Sequence, residues 1–301
     1  MRRWWSVLAV TGLTGLLLTG CGQPAGIDGA LFDDWAPLAE PTVWAPPLGA
    51  CHDTDLGKAV PLDQFGAVDC AAGHRAETVH VGTFAGAAAQ RPAPPANDAP
   101  EIRAAFGECD GKAREYVGDE WRGGRLRLGV ALPSAVAWTG GARWYRCDMA
   151  EVANVEFNGD VVSRTASVRG VLKSATPVRL ACYSIERSGN LRLAAMPAVD
   201  CAKPHNGEFV GVWNAPEIAY PTRDVDWVRF YDECWKLVSV YVGAPDDVNL
   251  RYRSGILVLP ASQPEWQAGN RGVRCYLRLS GEKTVTRSVK GVGLAGLPLP
   301  R

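Results

Sequence analysis

The pattern of apolar and polar positions predicts the same order of strands and one long helix in each half of the chain. In the first half, alternation of apolar and polar residues predicts strands over residues 77–84, 125–132 and 143–152. Residues 100–117 carry apolar side chains three or four positions apart, which predicts an amphipathic helix between the first two strands. The apolar positions of this helix are Ile102, Ala105, Phe106, Cys109, Ala113 and Tyr116.

The second half repeats this order. Strands are predicted over residues 209–213, 255–259 and 273–279, with a helix after the first of them. The apolar positions of this second helix are Val225, Val228, Tyr231, Cys234, Trp235, Val238 and Tyr241. The first half closes on residues 154–172, where an Asn-Gly turn signal predicts a hairpin, and the second on residues 285–292.

Short motifs show that the repeated order is a duplication. The pattern V-D-C-x3-H-x2-E-x-V occupies residues 68–79 and returns at residues 199–210. A second pattern, S-V-(R/K)-G-V, occupies residues 167–171 and returns at residues 288–292. Two copies are too few for an open solenoid, so tandem domains are the better interpretation.

The expected fold class is therefore α+β, with two tandem homologous domains. Their predicted bounds are residues 48–176 and 177–301. Each is expected to be a small, mostly antiparallel sheet packed with one main helix and stapled by two disulfides. Trp138 and Trp266, at matched positions in the two halves, are expected to lie in the core.

The N-terminus has the form of an export signal. Arg2 and Arg3 precede an apolar run that is short for a membrane span, which needs about 20 residues. The run ends in Leu-Thr-Gly-Cys, which resembles the lipobox of bacterial lipoproteins, so residues 1–20 are predicted to be a signal peptide and Cys21 to be lipidated. Such acyl chains anchor a protein to a membrane by burial of their methylene groups. An ordinary secretory signal with an incidental cysteine is the alternative.

The anchored protein is expected on the extracytoplasmic face of the cell membrane, held through its N-terminal lipid. Residues 21–47 are rich in Pro, Ala and Gly and suit a tether, in which Trp35 and Trp44 pack on the first domain or lie at the membrane surface. Lys plus Arg and Asp plus Glu number 32 each, so no basic field attracts nucleic acid. Oligomeric state is not predicted.

Cysteine usage agrees with export. Besides Cys21 the chain has an even number of cysteines, which in an exported protein predicts disulfides: Cys51, Cys70, Cys109, Cys147, Cys182, Cys201, Cys234 and Cys275. Four cysteines in each half allow three connectivities. Sequential pairing is favoured, and a nested pattern, first to fourth and second to third, stays open.

The C-x3-H spacing in both copies raises the question of a metal site. His74 and His205 repeat, and the nearby repeated carboxylates are Glu77 and Glu208. Zinc needs about four ligands, and an exported compartment favours oxidised cysteines. We therefore expect no metal and no cofactor. The expected role of the histidines is to hydrogen-bond the turn after the bridged cysteine, and the alternative is an interaction surface.

No enzyme signature is present in the sequence. His52 and His80 have no counterpart in the second half and are interpreted as incidental. Nucleophile-elbow, zincin, Walker A and dinucleotide-binding patterns are absent from the sequence. Three hypotheses remain: a non-enzymatic binding or scaffold protein, a binder of cell-wall glycan or small ligands, and an envelope hydrolase with an unrecognised carboxylate pair.

The ordered set of motifs resembles the septum formation-related domain of actinobacterial proteins. The motifs are G-x-C, V-x-C-x3-H-x2-E-x-V, C-x6-Y-V-G, L-P before W-x8-C, and a Gly-rich closing strand, over residues 48–176 and 178–295. The second copy has the family's Pro204-His205 pair, whereas the first has Gly73-His74. The resemblance implies an envelope protein that acts in septum formation, with an envelope or division protein as partner, and transfers no catalytic residues.

Overall fold

A computed structural model describes residues 43–58, 65–157, 159–189 and 192–300. These residues belong to one compact unit that begins at Val43. The predicted signal peptide, Cys21 and Trp35 lie outside the described residues. Trp44, at the end of the predicted tether, packs edge-on against Trp144, with ring centroids 6.2 Å apart.

The first half contains an antiparallel five-stranded sheet. Its strands are β1 (Cys51–His52), β2 (Ala67–Val68), β3 (Ala76–Thr83), β4 (Leu126–Ala131) and β5 (Trp144–Glu151). They are ordered β2-β1-β3-β5-β4. The long strands β3 and β5 lie in the middle, and Glu77 near the start of β3 is paired on both sides, with Cys51 and Met149.

The second half contains a sheet of the same design. The strands of this half are β6 (Cys182–Tyr183), β7 (Glu186–Arg187), β8 (Leu193–Ala195), β9 (Ala198–Val199), β10 (Gly207–Asn214), β11 (Ser254–Pro260) and β12 (Gly272–Leu279). The main sheet is ordered β9-β6-β10-β12-β11, and β7 with β8 forms a separate two-stranded ribbon. The central strands β3 and β10 both shift register by one residue, at Val79 and Val210. The shared order and shared bulge agree with the predicted α+β class and with the repeat seen in the sequence.

One long helix packs on each sheet. The helices are α1 (Gly86–Ala89), α2 (Pro100–Val117), α3 (Ala135–Thr139), α4 (Asp224–Val242), α5 (Val248–Arg253) and α6 (Gln263–Gln267). Both long helices, α2 and α4, end at a left-handed glycine, Gly118 with φ 88° and Gly243 with φ 75°. Glycine adopts this conformation without a steric penalty, so the chain can leave the helix in a sharp turn.

Helix α2 buries the face that its sequence predicts. All six predicted apolar positions are buried, together with Val117. Trp138 and Trp266 are also buried, as expected. Because the helix has a single apolar stripe, the spacing of its apolar residues identifies the face that packs on the sheet.

Helix α4 buries only part of its predicted apolar stripe. Cys234 and Val238 are buried as predicted, whereas the first three predicted positions are exposed. Val225, Val228 and Tyr231 are 65%, 53% and 45% exposed. The buried residues are Phe230, Cys234, Val238 and Val242. This helix carries apolar residues on more than one side, and spacing alone does not show which side meets the sheet. The aromatic cluster around Phe230, which contacts the Trp213 ring at 5.1 Å, selects the buried face.

The closing segments are not the regular strands that the sequence predicted. The predicted hairpin over residues 154–172 is reduced to an isolated bridge between Val152 and Val161. The chain then turns back towards the sheet, where Arg164 forms an ion pair with Glu151 and a bridge with His74. Residues 285–292 likewise contribute one bridge. Contacts with the sheet therefore replace the local hairpin.

Four disulfides connect the cysteines in sequential pairs. Cys51–Cys70 and Cys182–Cys201 tie the first strand of each half to the turn before its central strand. The other two, Cys109–Cys147 and Cys234–Cys275, tie the long helix to the sheet. The predicted disulfides and the favoured connectivity are confirmed, and the nested alternative is wrong.

A buried arginine joins the two halves. The Arg122 side chain is 2% exposed and lies 2.6 Å from Asp110 and 3.0 Å from Glu120. It also donates two hydrogen bonds, of 3.0 and 2.8 Å, to Asn270 Oδ1 in the second half. A Cβ atom at Gly272 would lie 2.0 Å from Arg122 Nε, so glycine is required there by this close approach.

We predict that Arg122→Met destabilises the protein by about 1–3 kcal/mol, because it removes the charged donor to the buried Asn270 oxygen. The half-buried Asp110 and Glu120 keep Arg114 as their cation. Urea unfolding measures this loss. The control is Arg91→Met, which removes an exposed ion pair with Glu101 and is expected to cost less than about 1 kcal/mol. Equal effects of the two substitutions would contradict a joining role for Arg122.

Candidate functional site: a buried histidine–glutamate corner in each half

The repeated motif folds into a buried corner in each half. The first corner is defined as Cys51, Cys70, His74 and Glu77, and the second as Cys182, Cys201, His205 and Glu208. The motif's histidine bridges the closing segment, and its glutamate lies on the central strand, β3 or β10. The structure thus brings together in each half the four residues that the sequence singled out.

An aspartate builds the turn that positions each corner. Asp69 Oδ1 accepts a hydrogen bond of 2.9 Å from the Ala71 backbone N–H. Asp200 does the same for Ala202, also at 2.9 Å. Such local side-chain bonds favour turns over regular structure. The aspartate of the motif is therefore occupied in the turn in both copies.

The histidines are fixed by the same turn. His74 Nδ1 lies 3.0 Å from the Ala72 carbonyl, and His205 Nδ1 lies 2.9 Å from the Lys203 carbonyl. A carbonyl oxygen only accepts, so Nδ1 carries the proton and donates in both rings. Both histidines are 1% exposed. Each Nε2 atom is therefore buried in the corner rather than exposed to solvent.

The glutamate of the first corner accepts three hydrogen bonds. Ser167 Oγ donates to Glu77 Oε1 at 2.7 Å, and the Val168 backbone N–H donates to Oε2 at 2.7 Å. The Tyr116 hydroxyl also donates to Oε1. The carboxylate therefore fastens the central strand to the last turn of α2 and to the closing segment.

The second corner repeats these contacts and adds one. Glu208 accepts from the Tyr241 hydroxyl and from Ser288 Oγ, each at 2.7 Å, and from the Val289 N–H at 2.8 Å. His205 Nε2 lies 3.0 Å from Glu208 Oε1. Because Nδ1 already donates elsewhere, this last hydrogen bond requires one further proton shared between the ring and the carboxyl.

The two corners differ in the contact between the histidine Nε2 and the glutamate carboxylate. In the first corner His74 Nε2 has no hydrogen-bond partner among the described residues. The carboxylate of Glu77 accepts three bonds, whereas that of Glu208 accepts four, which fills its acceptor positions. The position between Nε2 and the carboxylate is thus proton-bridged in the second half and unbridged in the first.

The tyrosines remain donors at neutral pH. Burial, assisted by the bond to Glu77, raises the pKa of Tyr116 to about 12. Burial also raises the pKa of Tyr241. A hydroxyl that keeps its proton can donate to a carboxylate, so both networks are complete at pH 7.

Sequence reasoning missed the tyrosine and serine members of the network. Tyr116 and Tyr241 occupy the same place in C-x6-Y-V-G, and Ser167 and Ser288 begin the repeated closing motif. The repeat was visible in the sequence. Their common partner was not, because Glu77 is 90 residues from Ser167 in sequence.

His52 is not incidental, contrary to the interpretation of the sequence. It is fully buried, with Nδ1 2.7 Å from Thr54 Oγ1 and Nε2 3.4 Å from Asp148 Oδ1. Asp148 also accepts from Arg146 Nε at 2.8 Å. Thr, His and Asp are residue types of a hydrolytic triad, but His52 and Asp148 are both 0% exposed. No substrate reaches these groups in this conformation.

A surface depression lies along helix α4. This α4 groove has a volume of about 600 Å³ and is lined by Val225, Val228, Arg229, Asp232, Glu233, Lys236, Asp246 and Arg251. Three cations and three carboxylates line it, and two of its ion pairs are Lys236–Glu233 at 3.0 Å and Arg251–Asp246 at 2.8 Å. The exposed valines of α4 therefore lie within a charged but balanced surface.

Comparison with known proteins places the chain in a family. The profile of the septum formation family matches residues 48–275. The chain belongs to this family. Two curated relatives, both described as an uncharacterized membrane protein, come from Mycobacterium tuberculosis strains CDC 1551 / Oshkosh and ATCC 25618 / H37Rv. Each is 26% identical over 237 residues, which is 74% of this chain and 51% of the relative.

The chain thus spans about half the length of the curated relatives that it matches. No solved structure matches the chain. Among the described residues, no helix combines the length and apolar character needed to cross a membrane.

We predict that Glu208→Gln destabilises the second half by about 2–3 kcal/mol, because hydrogen bonds to a buried charge contribute more than neutral ones. Ser288→Ala, which removes a single donor, is expected to cost about 1 kcal/mol. Chemical denaturation measures both. Glu233→Gln, at a surface ion pair, is the control and is expected to cost less than about 1 kcal/mol. A neutral effect of Glu208→Gln would show that the carboxylate does not hold the half together.

Proposed function

We propose that the protein is a lipid-anchored, non-enzymatic binding or scaffold protein on the extracytoplasmic face of the envelope, acting in septum formation. Membership of the septum formation family and the membrane-protein relatives support this role. The lipobox ending at Cys21 supports the anchor. Four disulfides suit a protein that works in an oxidising compartment.

The observation that carries the non-enzymatic proposal is the burial of the repeated polar residues. His74, His205, Glu77 and Glu208 are each 1% exposed and bond to their own fold. A catalytic group must reach its substrate within hydrogen-bond distance. The repeated residues therefore act by shaping the protein, and its partners meet other surfaces.

The α4 groove is the surface best suited to a protein partner. Helix α4 exposes Val225, Val228 and Tyr231, whereas the apolar stripe of α2 is buried. Exposed apolar side chains within a polar rim are typical of interaction sites. The balanced charges of the groove favour a partner with mixed charge, such as another envelope or division protein. The first half would then support the second and connect it to the tether.

We predict that a groove variant fails to restore septum formation in a strain that lacks the protein. The variant carries Val225→Asp and Val228→Asp, which place charge on two lining residues where a partner would bury apolar surface. Cell length and septum position in complemented cells measure the effect. The matched control is Val136→Asp, because Val136 is 83% exposed and lies in the first half. Full complementation by the groove variant, with normal protein levels, would refute this surface as the partner site.

The same strain tests the anchor. Cys21→Ser is expected to move the protein from the membrane fraction to the medium or to block its maturation, because the lipid contributes the membrane affinity. The groove variant stays in the membrane fraction. Retention of Cys21→Ser in the membrane fraction would overturn the lipid anchor and leave the groove proposal standing.

Binding of cell-wall glycan is the second candidate function. Trp227 and Tyr231 stack beside the groove, with ring centroids 6.1 Å apart and planes 25° apart. Aromatic faces of this kind also contact sugars. Titration of tryptophan fluorescence with wall fragments discriminates the two candidates. A glycan site predicts a saturable change in fluorescence that Tyr231→Asp abolishes. A purely protein-binding groove predicts no change.

A further inference from the structure

We propose that each corner becomes a four-ligand metal site, suited to zinc, when a thiol reductant opens its disulfide. The ligands would be the two cysteine thiolates, the histidine Nε2 and the glutamate carboxylate. This inference goes beyond the partner-binding role and does not depend on it.

The donor atoms are already assembled. The Sγ of Cys51, a ring nitrogen of His74 and a carboxylate oxygen of Glu77 lie within 4.8 Å of one another, and all three residues are buried. Cys182, His205 and Glu208 show the same arrangement. Ligands at about 2.0–2.3 Å from a tetrahedral zinc ion are roughly 3.5 Å apart. Shifts of about an ångström would therefore close the shell.

The histidine is oriented as metal-binding histidines are. Such a ring donates its other N–H to a carbonyl or carboxylate, which fixes the tautomer and aims the lone pair at the metal. His74 Nδ1 lies 3.0 Å from the Ala72 carbonyl. Its buried Nε2 has no hydrogen-bond partner among the described residues. An unused lone pair in a buried polar corner is unfavourable unless a proton or a cation binds there.

The Glu77 carboxylate can accept one further bond. Glu77 accepts bonds from Tyr116, Ser167 and Val168, which leaves one of its roughly four acceptor positions. In the second corner the corresponding position accepts from His205 Nε2. A metal ion would take the unused position in the first corner and replace the shared proton in the second. In both corners the tyrosine and serine would orient the carboxylate.

The disulfide controls the site. As a disulfide, Cys51 and Cys70 offer no thiolate, so the corner supplies only an imidazole and a carboxylate. Two thiol molecules, RSH, convert the disulfide into two cysteine thiols and leave as RS–SR, transferring two electrons and two protons. Binding of Zn²⁺ then displaces the two thiol protons. The corner thus exists either as a covalent bridge or as a metal site.

The other two disulfides provide an internal contrast. Cys109–Cys147 and Cys234–Cys275 connect a helix to a strand, and neither belongs to a cluster of three potential ligands within the described residues. His80 lies opposite Cys147 and hydrogen-bonds Glu108, but these side chains do not converge with a cysteine sulfur within 4.8 Å as the corner ligands do. If free thiols alone were sufficient for metal binding, all four reduced cysteine pairs would bind metal. The proposal predicts binding only at the two corners.

The first experiment uses Cys70→Ser in the full mature chain, with the other three disulfides intact. This change frees the Cys51 thiol beside His74 and Glu77. We expect one Co²⁺ per chain, detected by thiolate-to-cobalt charge-transfer absorption and displaced by Zn²⁺. Adding His74→Ala is expected to weaken binding at least tenfold. The matched control, Cys147→Ser, frees Cys109 and is expected to show no such band.

The second experiment uses the wild-type chain and does not depend on how the Cys70→Ser variant folds. Thiol-reduced protein is loaded with Zn²⁺ and desalted, and its metal content is expected to be two ions per chain, against none for oxidised protein. His74→Ala with His205→Ala is expected to abolish retention, whereas His80→Ala keeps it. The proposal is overturned if folded Cys70→Ser binds Co²⁺ no better than Cys147→Ser, or if the double histidine variant retains as much zinc as wild type.

Discussion

Each half of this protein depends on a buried carboxylate that the surrounding chain must satisfy. A buried charge is costly unless hydrogen bonds compensate it. Glu77 and Glu208 therefore impose a strict arrangement on the helix end, the closing segment and the histidine turn. Because the compensating donors come from distant parts of the sequence, the carboxylate converts local elements into one closed unit. The disulfide of the corner holds the first strand of each half covalently to the turn before the central strand.

Outside the corners, the two sheets differ in the side chains that they bury. On the face of the sheet that carries His52 and Asp148, the first half buries a polar cluster with Arg146. The equivalent pair in the second half is aromatic, with Tyr183 and Tyr276 edge-on at 5.5 Å. Both solutions remove the face from water, one by hydrogen bonding and one by apolar packing. The duplicated halves thus share the corners but differ in the residues that cover this face of the sheet.

Sequence reasoning predicted what depends on local pattern and failed where distant contacts decide. The strands, the α2 face, the cysteine pairs and the family follow from spacing and repetition. The buried face was wrong for the N-terminal half of α4, because Phe230 and Val228 are equally apolar in pattern and only packing separates them. The predicted hairpin over residues 154–172 is replaced by contacts between Arg164 and the sheet. His52 was dismissed for lacking a counterpart, although its partners, Thr54 and Asp148, were equally specific to the first half.

Amide hydrogen exchange at the closing segments tests the central role of the carboxylates most directly. The Val168 and Val289 N–H groups donate to Glu77 and Glu208 at 2.7 and 2.8 Å. The next residues, Arg169 and Lys290, are exposed, and their N–H groups donate to half-buried serine hydroxyls. The account predicts that the two valine amides exchange only when their own half unfolds, while their neighbours exchange much faster. Similar fast exchange at all four amides would contradict it.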